Sequence, residues 1–309
     1  MAATRKPGRL AASGIGPVRT VSLIHWSLFC AGGRVKFTAL VLLAAAPLAL
    51  PEIDVNAVVA QSVRNYEHDW KAAAAQWACR ETDISRSDGH NETDVSEVIP
   101  LGGTPYDKLI SKDGHPLTGS AARREERKYE HVVREREQES PEEREARIRK
   151  YENERAFVKD IPSAYTFRLV GDEALNGRPS WVITMTPRPD FVPTTPHAAM
   201  LSHIDGKLWI DKQDVRWAKA EARVAETISI GWILARIGPG AQFVVDQTRL
   251  DNGIWLPRKI TISGTALVMM VHSKPLNEEL TWSDYRKVPA SVASARPAAN
   301  QPPKSNSFR

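Results

Sequence analysis

Two aspartates three residues apart, Asp211 and Asp214, stand out in "DGKLWIDKQDVRWAKAEA", residues 205–222. A pair of carboxylates can split a glycosidic bond, provided their separation is fixed and an apolar pocket raises the pKa of one of them. Here both sit in "DKQD", four polar residues between two strand-like runs. That places them in a solvated turn, where aspartate bonds the turn backbone. Glu173, Asp246, Glu278 and Asp284 lie in alternating strand text of the same kind. His197 and His203 flank a proline-rich loop, but two histidines without a third ligand do not make a zinc site. The chain has two cysteines, Cys30 and Cys79, too few for a cysteine-rich zinc site. The sequence holds no HExxH, GxSxG, phosphate-cradling glycine loop or EF-hand spacing. The expectation is a protein that is not an enzyme and has no cofactor and no metal. An envelope hydrolase using Asp or Glu ranks last among the readings.

The elements around these residues are mostly strands. "YTFRLVGDEAL" and "RPSWVITMTP" alternate on either side of Asn176-Gly177, a hairpin signal. The opening stretch is a second hairpin. "AQFVVDQTRL" and "IWLPRKITISGT" flank Asp251-Asn252-Gly253 as a third, and "ALVMMVHS" with "NEELTWSDYRKV" reads as a fourth. Hairpins in series without crossover helices give an antiparallel meander. "WACRETDIS" and "NETDVSEVIPL" form a further strand pair, preceded by an amphipathic helix over 63–77 with Trp70 and Trp77 on its packed side.

Six of the nine tryptophans, Trp181, Trp209, Trp217, Trp232, Trp255 and Trp282, fall in the β-rich part. They either fill a core or line a hollow for a lipid or acyl chain. Ala218 and Ala220 leave room beside them. The candidate ligand-contacting residues are Trp181, Trp209, Trp217, Ala218, Ala220 and Trp255. With Ile210 opposite Val215, Trp217 shares a face with Leu208, while Trp209 lies on the other face with Ala218 and Ala220.

The formal charge of +5 and pI of 9.2 are a property of the front of the chain. Residues 1–60 carry six cations against Glu52 and Asp54, a balance of +4, so +1 remains for all the rest. Residues 121–160 contain twelve cations and twelve anions, a neutral mixture that attracts no phosphate backbone. No nucleic-acid partner is expected. Ser140-Pro141-Glu142-Glu143 reads as a capping box that divides this stretch into two helices, a charged helical hairpin over 120–160 able to dock an envelope protein partner.

Arg34 and Lys36, the apolar run 37–50 and the small residues up to Ala60 have the order of a signal peptide cut near Ala60. An uncleaved anchor is the alternative. The run is shorter than the roughly 20 residues a membrane span needs. The domain plan is a leader over 1–60, one β domain over 61–288, and a tail over 289–309 whose composition predicts disorder.

The ordered texts "FRLVGDEALNGRPSWVITMTPRP", "GKLWIDKQDVRWAKAEA", "DNGIWLPRKI" and "LTWSDYRK" resemble the bacterial outer-membrane lipoprotein-sorting family and its secreted relatives, over Val63 to Val288. The resemblance implies an α+β fold, a half-open antiparallel β-barrel wrapped over helices, with the helical hairpin as an insertion. It further implies a periplasmic or secreted protein, peripheral to the membrane, whose curved sheet holds a lipid or the acyl chain of a lipoprotein. It implies no catalytic residues.

Overall fold

A computed structural model describes residues 53–87, 89–230, 235–268 and 272–289. Cys30, Trp232, most of the leader and the tail from residue 290 lie outside the described residues.

Helix α1, Val55–Gln76, is capped by Asp54, whose side chain accepts a hydrogen bond from the Ala57 amide at 3.0 Å. Val55, Val58, Val59, Val63 and Tyr66 recur at helical spacing and pack into the main buried cluster. The helix therefore starts eight residues before the 63 expected from the pattern. Trp77 leaves it in extended conformation and opens β1 instead of joining its packed side.

The strands that follow are β1 (Trp77–Ser87), β2 (His90–Leu101), β3 (Thr104–Lys112) and β4 (His115–Pro116). After them come helices α2 (Gly119–Gln138), α3 (Pro141–Asn153) and α4 (Ile161–Ala164), with a 3-10 turn over Ala156–Asp160. The remaining strands are β5 (Tyr165–Leu175), β6 (Arg178–Pro187), β7 (Ile204–Asp211), β8 (Trp217–Val224), β9 (Ile228–Ile230), β10 (Ala235–Ile237), β11 (Gln242–Arg249), β12 (Trp255–Val268) and β13 (His272–Lys287).

Every described strand pairing is antiparallel, in the order β4-β3-β2-β1-β13-β12-β11-β8-β7-β6-β5, with β9 and β10 attached beside β12. The sheet does not close: β4 and β5 are its two ends. This is the α+β half-open barrel. The third and fourth hairpins read from the sequence share one long strand, β12, and the N-terminal hairpin joins the meander through β1 and β13.

The helical insert is the connection between the two free ends of the sheet. Its capping box forms, with Glu143 N donating to Ser140 Oγ at 3.1 Å and Ser140 N to Glu143 Oε2 at 2.9 Å. Arg149 pairs with Glu145 at 2.6 Å, as the spacing suggests, but Arg147 turns away from Glu143. It bonds Glu139 at 2.6 Å and donates to the Gly102 carbonyl at 3.0 Å, while Arg136 donates to the carbonyls of Leu101 at 2.6 Å and Thr104 at 2.9 Å. Two arginines thus grip the β2–β3 turn. Gly103, at φ +95°, adopts a backbone conformation that favours glycine, and its missing Cβ lets the tip of Ile148 of α3 approach the turn.

The buried core lies on the helix side of β5–β8. Val59, Val63, Val158, Ile161 and Ala164 meet Ile183, Met185, Leu208, Ile210 and Trp217 there. A second cluster gathers Ile204, Val224, Ile228, Ile237 and Ala241 near the ends of these strands.

Candidate functional site

The two aspartates of the β7–β8 turn are neither solvated nor free. Asp211 is fully buried; Arg178 donates to it from Nε at 2.7 Å and from Nη2 at 2.8 Å. It also accepts from the amides of Gln213 at 3.0 Å and Asp214 at 2.7 Å. Asp214 accepts from Arg249 Nε at 2.7 Å, Trp255 Nε1 at 2.9 Å and Arg178 Nη2 at 3.1 Å. Burial acts to raise the Asp214 pKa, but these donors outweigh it and hold the carboxyl below its ordinary range. Turn bonding is therefore correct for Asp211, and solvation is not. Both carboxylates are held as hydrogen-bond acceptors by these donors.

The same turn is fastened to α1. Asn65 Nδ2 donates to the Val215 carbonyl at 2.8 Å, Arg216 Nε to the buried Asp69 at 2.6 Å, and Trp217 Nε1 to Ser62 Oγ at 2.8 Å. Val215 sits at φ +50°, a left-handed conformation that a β-branched residue adopts at a cost of about 1–3 kcal/mol.

The register differs from the one expected. Ile210 pairs with Trp217, not Val215, and a bulge at Trp209/Ile210 leaves Ala218 unmatched. Trp217 does share a face with Leu208, stacked on Tyr66 of α1 at 4.6 Å between ring centroids. Ala220 pairs with Leu208 and so lies on that core face, away from Trp209. Trp209 faces outward, its indole N–H donating to Glu173 at 2.7 Å beneath the Lys219 ammonium. Trp181 packs at the edge of the core, and Trp255 belongs to the aspartate–arginine cluster. The six residues are thus not brought to one lining, and α1 already fills the space over Trp217.

Open sheet face is found in the other half. Alternation and register carry the helix-side face from Phe243 and Val245 of β11 across Ile260 and Ile262 of β12 to Leu276, Glu278, Leu280 and Trp282 of β13. It continues onto Glu81 and Asp83 of β1, then Asp94 and Ser96 of β2. Val245, Ile260, Ile262, Leu280 and Trp282 belong to neither buried cluster and are half-buried. The apolar row runs into acids. Burial, then the neighbouring Asp107, raises the Glu81 pKa against the pull of the Trp282 indole, which donates to Glu81 at 2.7 Å. Burial and then Asp94 raise that of Asp83, and burial and then Asp83 raise that of Glu278. Burial pushes the Cys79 thiol below them up to about 12.

Reading the residues alone missed this face and the strand β3 beside it. The signal was present: "ETD" and "ETD", residues 81–83 and 92–94, each set two acids two positions apart, on one face of a strand. His197 and His203 stand at opposite ends of a 3-10 turn, and His203 pairs with Glu226 at 3.1 Å. Among the described residues no group of three His, Cys, Asp or Glu could hold a metal ion. An open hollow of about 600 Å³ on β6–β8 and β11 is walled by Lys207, Glu221 and Arg223 together with the apolar Met185, Pro187 and Phe243.

Fold and site together define an α+β protein in which an open antiparallel half-barrel embraces one long helix, and part of its inner face is left only half-buried by the described residues. Among solved structures the chain is similar to a putative outer membrane lipoprotein-sorting protein domain from Vibrio parahaemolyticus, at 13% identity and TM-score 0.31, covering 74% of this chain and 93% of that one. It is similar to a DUF1329 family protein from Desulfovibrio piger, at 11% identity and TM-score 0.32, covering 77% and 96%. It is also similar to a LolA superfamily protein from Nitrosomonas europaea, at 11% identity and TM-score 0.31, covering 75% and 96%. No family model matches the sequence, and no curated protein matches it.

Proposed function

We propose that the chain is a periplasmic or secreted envelope protein that binds an elongated apolar ligand, a lipid or the acyl chain of a lipoprotein, on the open half of its inner face. A role in outer-membrane lipoprotein sorting is the process this binding would serve. The observation that carries the reading is the half-buried row Val245, Ile260, Ile262, Leu280 and Trp282, on the helix side of the sheet yet outside both buried clusters. A fully covered chain gains about 0.8 kcal/mol per buried methylene, so micromolar binding needs roughly ten or more methylenes covered along this row, with the cost of immobilising the ligand to be met on top. No helix among the described residues is long and apolar enough to cross a membrane. Purification from an envelope fraction followed by lipid mass spectrometry should find co-purifying lipid. Ile262→Asp and Leu280→Asp should abolish binding of a fluorescent fatty-acyl probe. Absence of lipid together with probe binding that ignores both substitutions would sink the proposal.

A second reading, a protein partner docked on the helical hairpin, is favoured by one observation: α3 buries no residue and α2 only Glu125. Replacing 119–153 with a short linker separates the two. Acyl-probe binding should survive, while capture of a partner through the hairpin should not. The linker must spare Ala156, Val158 and Asp160, which are buried.

A further inference from the structure

We propose that the open acidic half of the inner face is a docking surface for the chain's own C-terminal segment, residues 290–309. The two faces of the same strands differ in how their charges are met. On the outer face, Arg86 and Lys259 pair with Glu279 at 3.8 and 3.1 Å, and Arg286 pairs with Glu97. On the inner face, Glu81, Asp83, Asp94 and Glu278 gather beside Ile260, Ile262, Leu280 and Trp282. Among the described residues, the ammonium that reaches this group is Lys112, bonded to Glu92 and 3.7 Å from Asp94. Asp83 faces Asp94 directly across the β1–β2 pair, an unfavourable like-charge pairing, and one carboxylate oxygen of each is shielded from solvent with no hydrogen-bond donor. His90 stands at the far end of the β2 row. The face therefore asks for an extended occupant that is apolar in part and cationic.

The segment "ASVASARPAANQPPKSNSFR" has that chemistry. It carries Arg296, Lys304 and Arg309, no acid, and the aromatic Phe308. Its three prolines, Pro297, Pro302 and Pro303, favour an extended chain over a helix. Its point of attachment is also right. It follows directly on β13, the strand that carries Glu278, Leu280 and Trp282, where the Val288 amide donates to the Gln76 carbonyl at 2.8 Å. At about 3.3 Å per residue, Lys287 to Trp282 is roughly 17 Å and Lys287 to Glu278 roughly 30 Å, whereas the segment from Pro289 reaches about 23 Å at Arg296 and about 50 Å at Lys304. A tether of this length holds the cations at an effective concentration in the millimolar range.

The test is photo-crosslinking in the full chain with a benzophenone amino acid at position 308. Crosslinks are expected on peptides spanning Glu81–Ser85 and Leu276–Trp282. Their yield should fall roughly fivefold or more in high salt and in a chain bearing Arg296→Glu, Lys304→Glu and Arg309→Glu, because exposed ion pairs are screened. The same loss is expected from Glu81→Gln, Asp83→Asn and Glu278→Gln, with circular dichroism confirming a retained fold. Crosslinks confined to other surfaces, or a yield indifferent to charge reversal, would overturn the proposal. So would crosslinks to neighbouring molecules in place of the same chain, which would mean a second copy as occupant. Acyl-probe binding by a chain ending at Pro289 is measured separately, so failure of the lipid reading leaves this result standing.

Discussion

Asp211 is the residue at which local reading and three-dimensional setting part. Its turn role is written in "DKQD", but its burial depends on Arg178, thirty-three positions away on β6. Asp211→Asn keeps the shape and removes the charge that Arg178 meets. Breaking a buried pair costs about 3–5 kcal/mol, and the partial exposure of Arg178 lowers the expected loss to about 2–3 kcal/mol. Urea unfolding measures it; a change under about 0.5 kcal/mol would show that the pair is dispensable. The pH dependence has two opposing parts. Because the folded Asp214 pKa is depressed, its contribution is present above the unfolded value of about 4 and is lost as pH falls through the folded one. Glu81, Asp83 and Glu278 are raised, so their ionisation costs stability at neutral pH and that cost vanishes as pH falls through their folded values towards about 4. Urea midpoints should rise as pH falls from neutral through these raised folded values and drop below about pH 4. Glu81→Gln with Asp83→Asn should flatten that rise, and a steady decline from neutral pH would contradict it.

Among the elements, α1 and the helical hairpin make the clearest demands. Val59 is fully buried one turn ahead of the expected helix start, and Ala60 lies inside the helix. A cut near Ala60 would discard the Asp54 cap and Val59, a loss of about 1 kcal/mol for the cap and 1.5–3 kcal/mol for the valine. We therefore propose processing upstream of Asp54. N-terminal sequencing of the mature protein should read a residue before position 54, and a first residue after Ala60 would refute it. For the hairpin, Arg136→Ala combined with Arg147→Ala should free it from the β2–β3 turn. Amide exchange over 119–153 should accelerate by roughly tenfold or more while the β5–β8 core stays protected; unchanged exchange would mean that α2 and α3 hold their place without the arginines. The capping box was legible from four consecutive residues because it is a local interaction. The target of Arg147 was not, because helical spacing offered Glu143 and the turn that actually receives it lies 43–45 positions away.

At the scale of the whole molecule, the meander was legible wherever a short turn joins neighbouring strands, as at Asn176-Gly177 and Asp251-Asn252-Gly253. The open inner face was not, since the positions that share it are set by the register between β1 and β13, and nothing local encodes that pairing. Of the six residues expected to meet a ligand, the fold disperses Trp209, Trp217 and Trp255 to three different environments, and the bulge in β7–β8 moves Ala220 onto the core face, away from Trp209. The β1–β13 junction also governs how the sheet is assembled in time. Trp77 pairs with Lys287, so the first strand made waits for the last before its second edge is satisfied. Contacts of such high sequence separation slow folding to milliseconds or seconds, and the waiting edge is a template for aggregation. Refolding of the full chain should be slow and concentration-sensitive, whereas a chain lacking 272–289 should aggregate from the N-terminal hairpin; fast, concentration-independent refolding in stopped-flow measurements would contradict this. If the chain is exported as proposed, the interval between the arrival of β1 and that of β13 is the period in which a chaperone is needed.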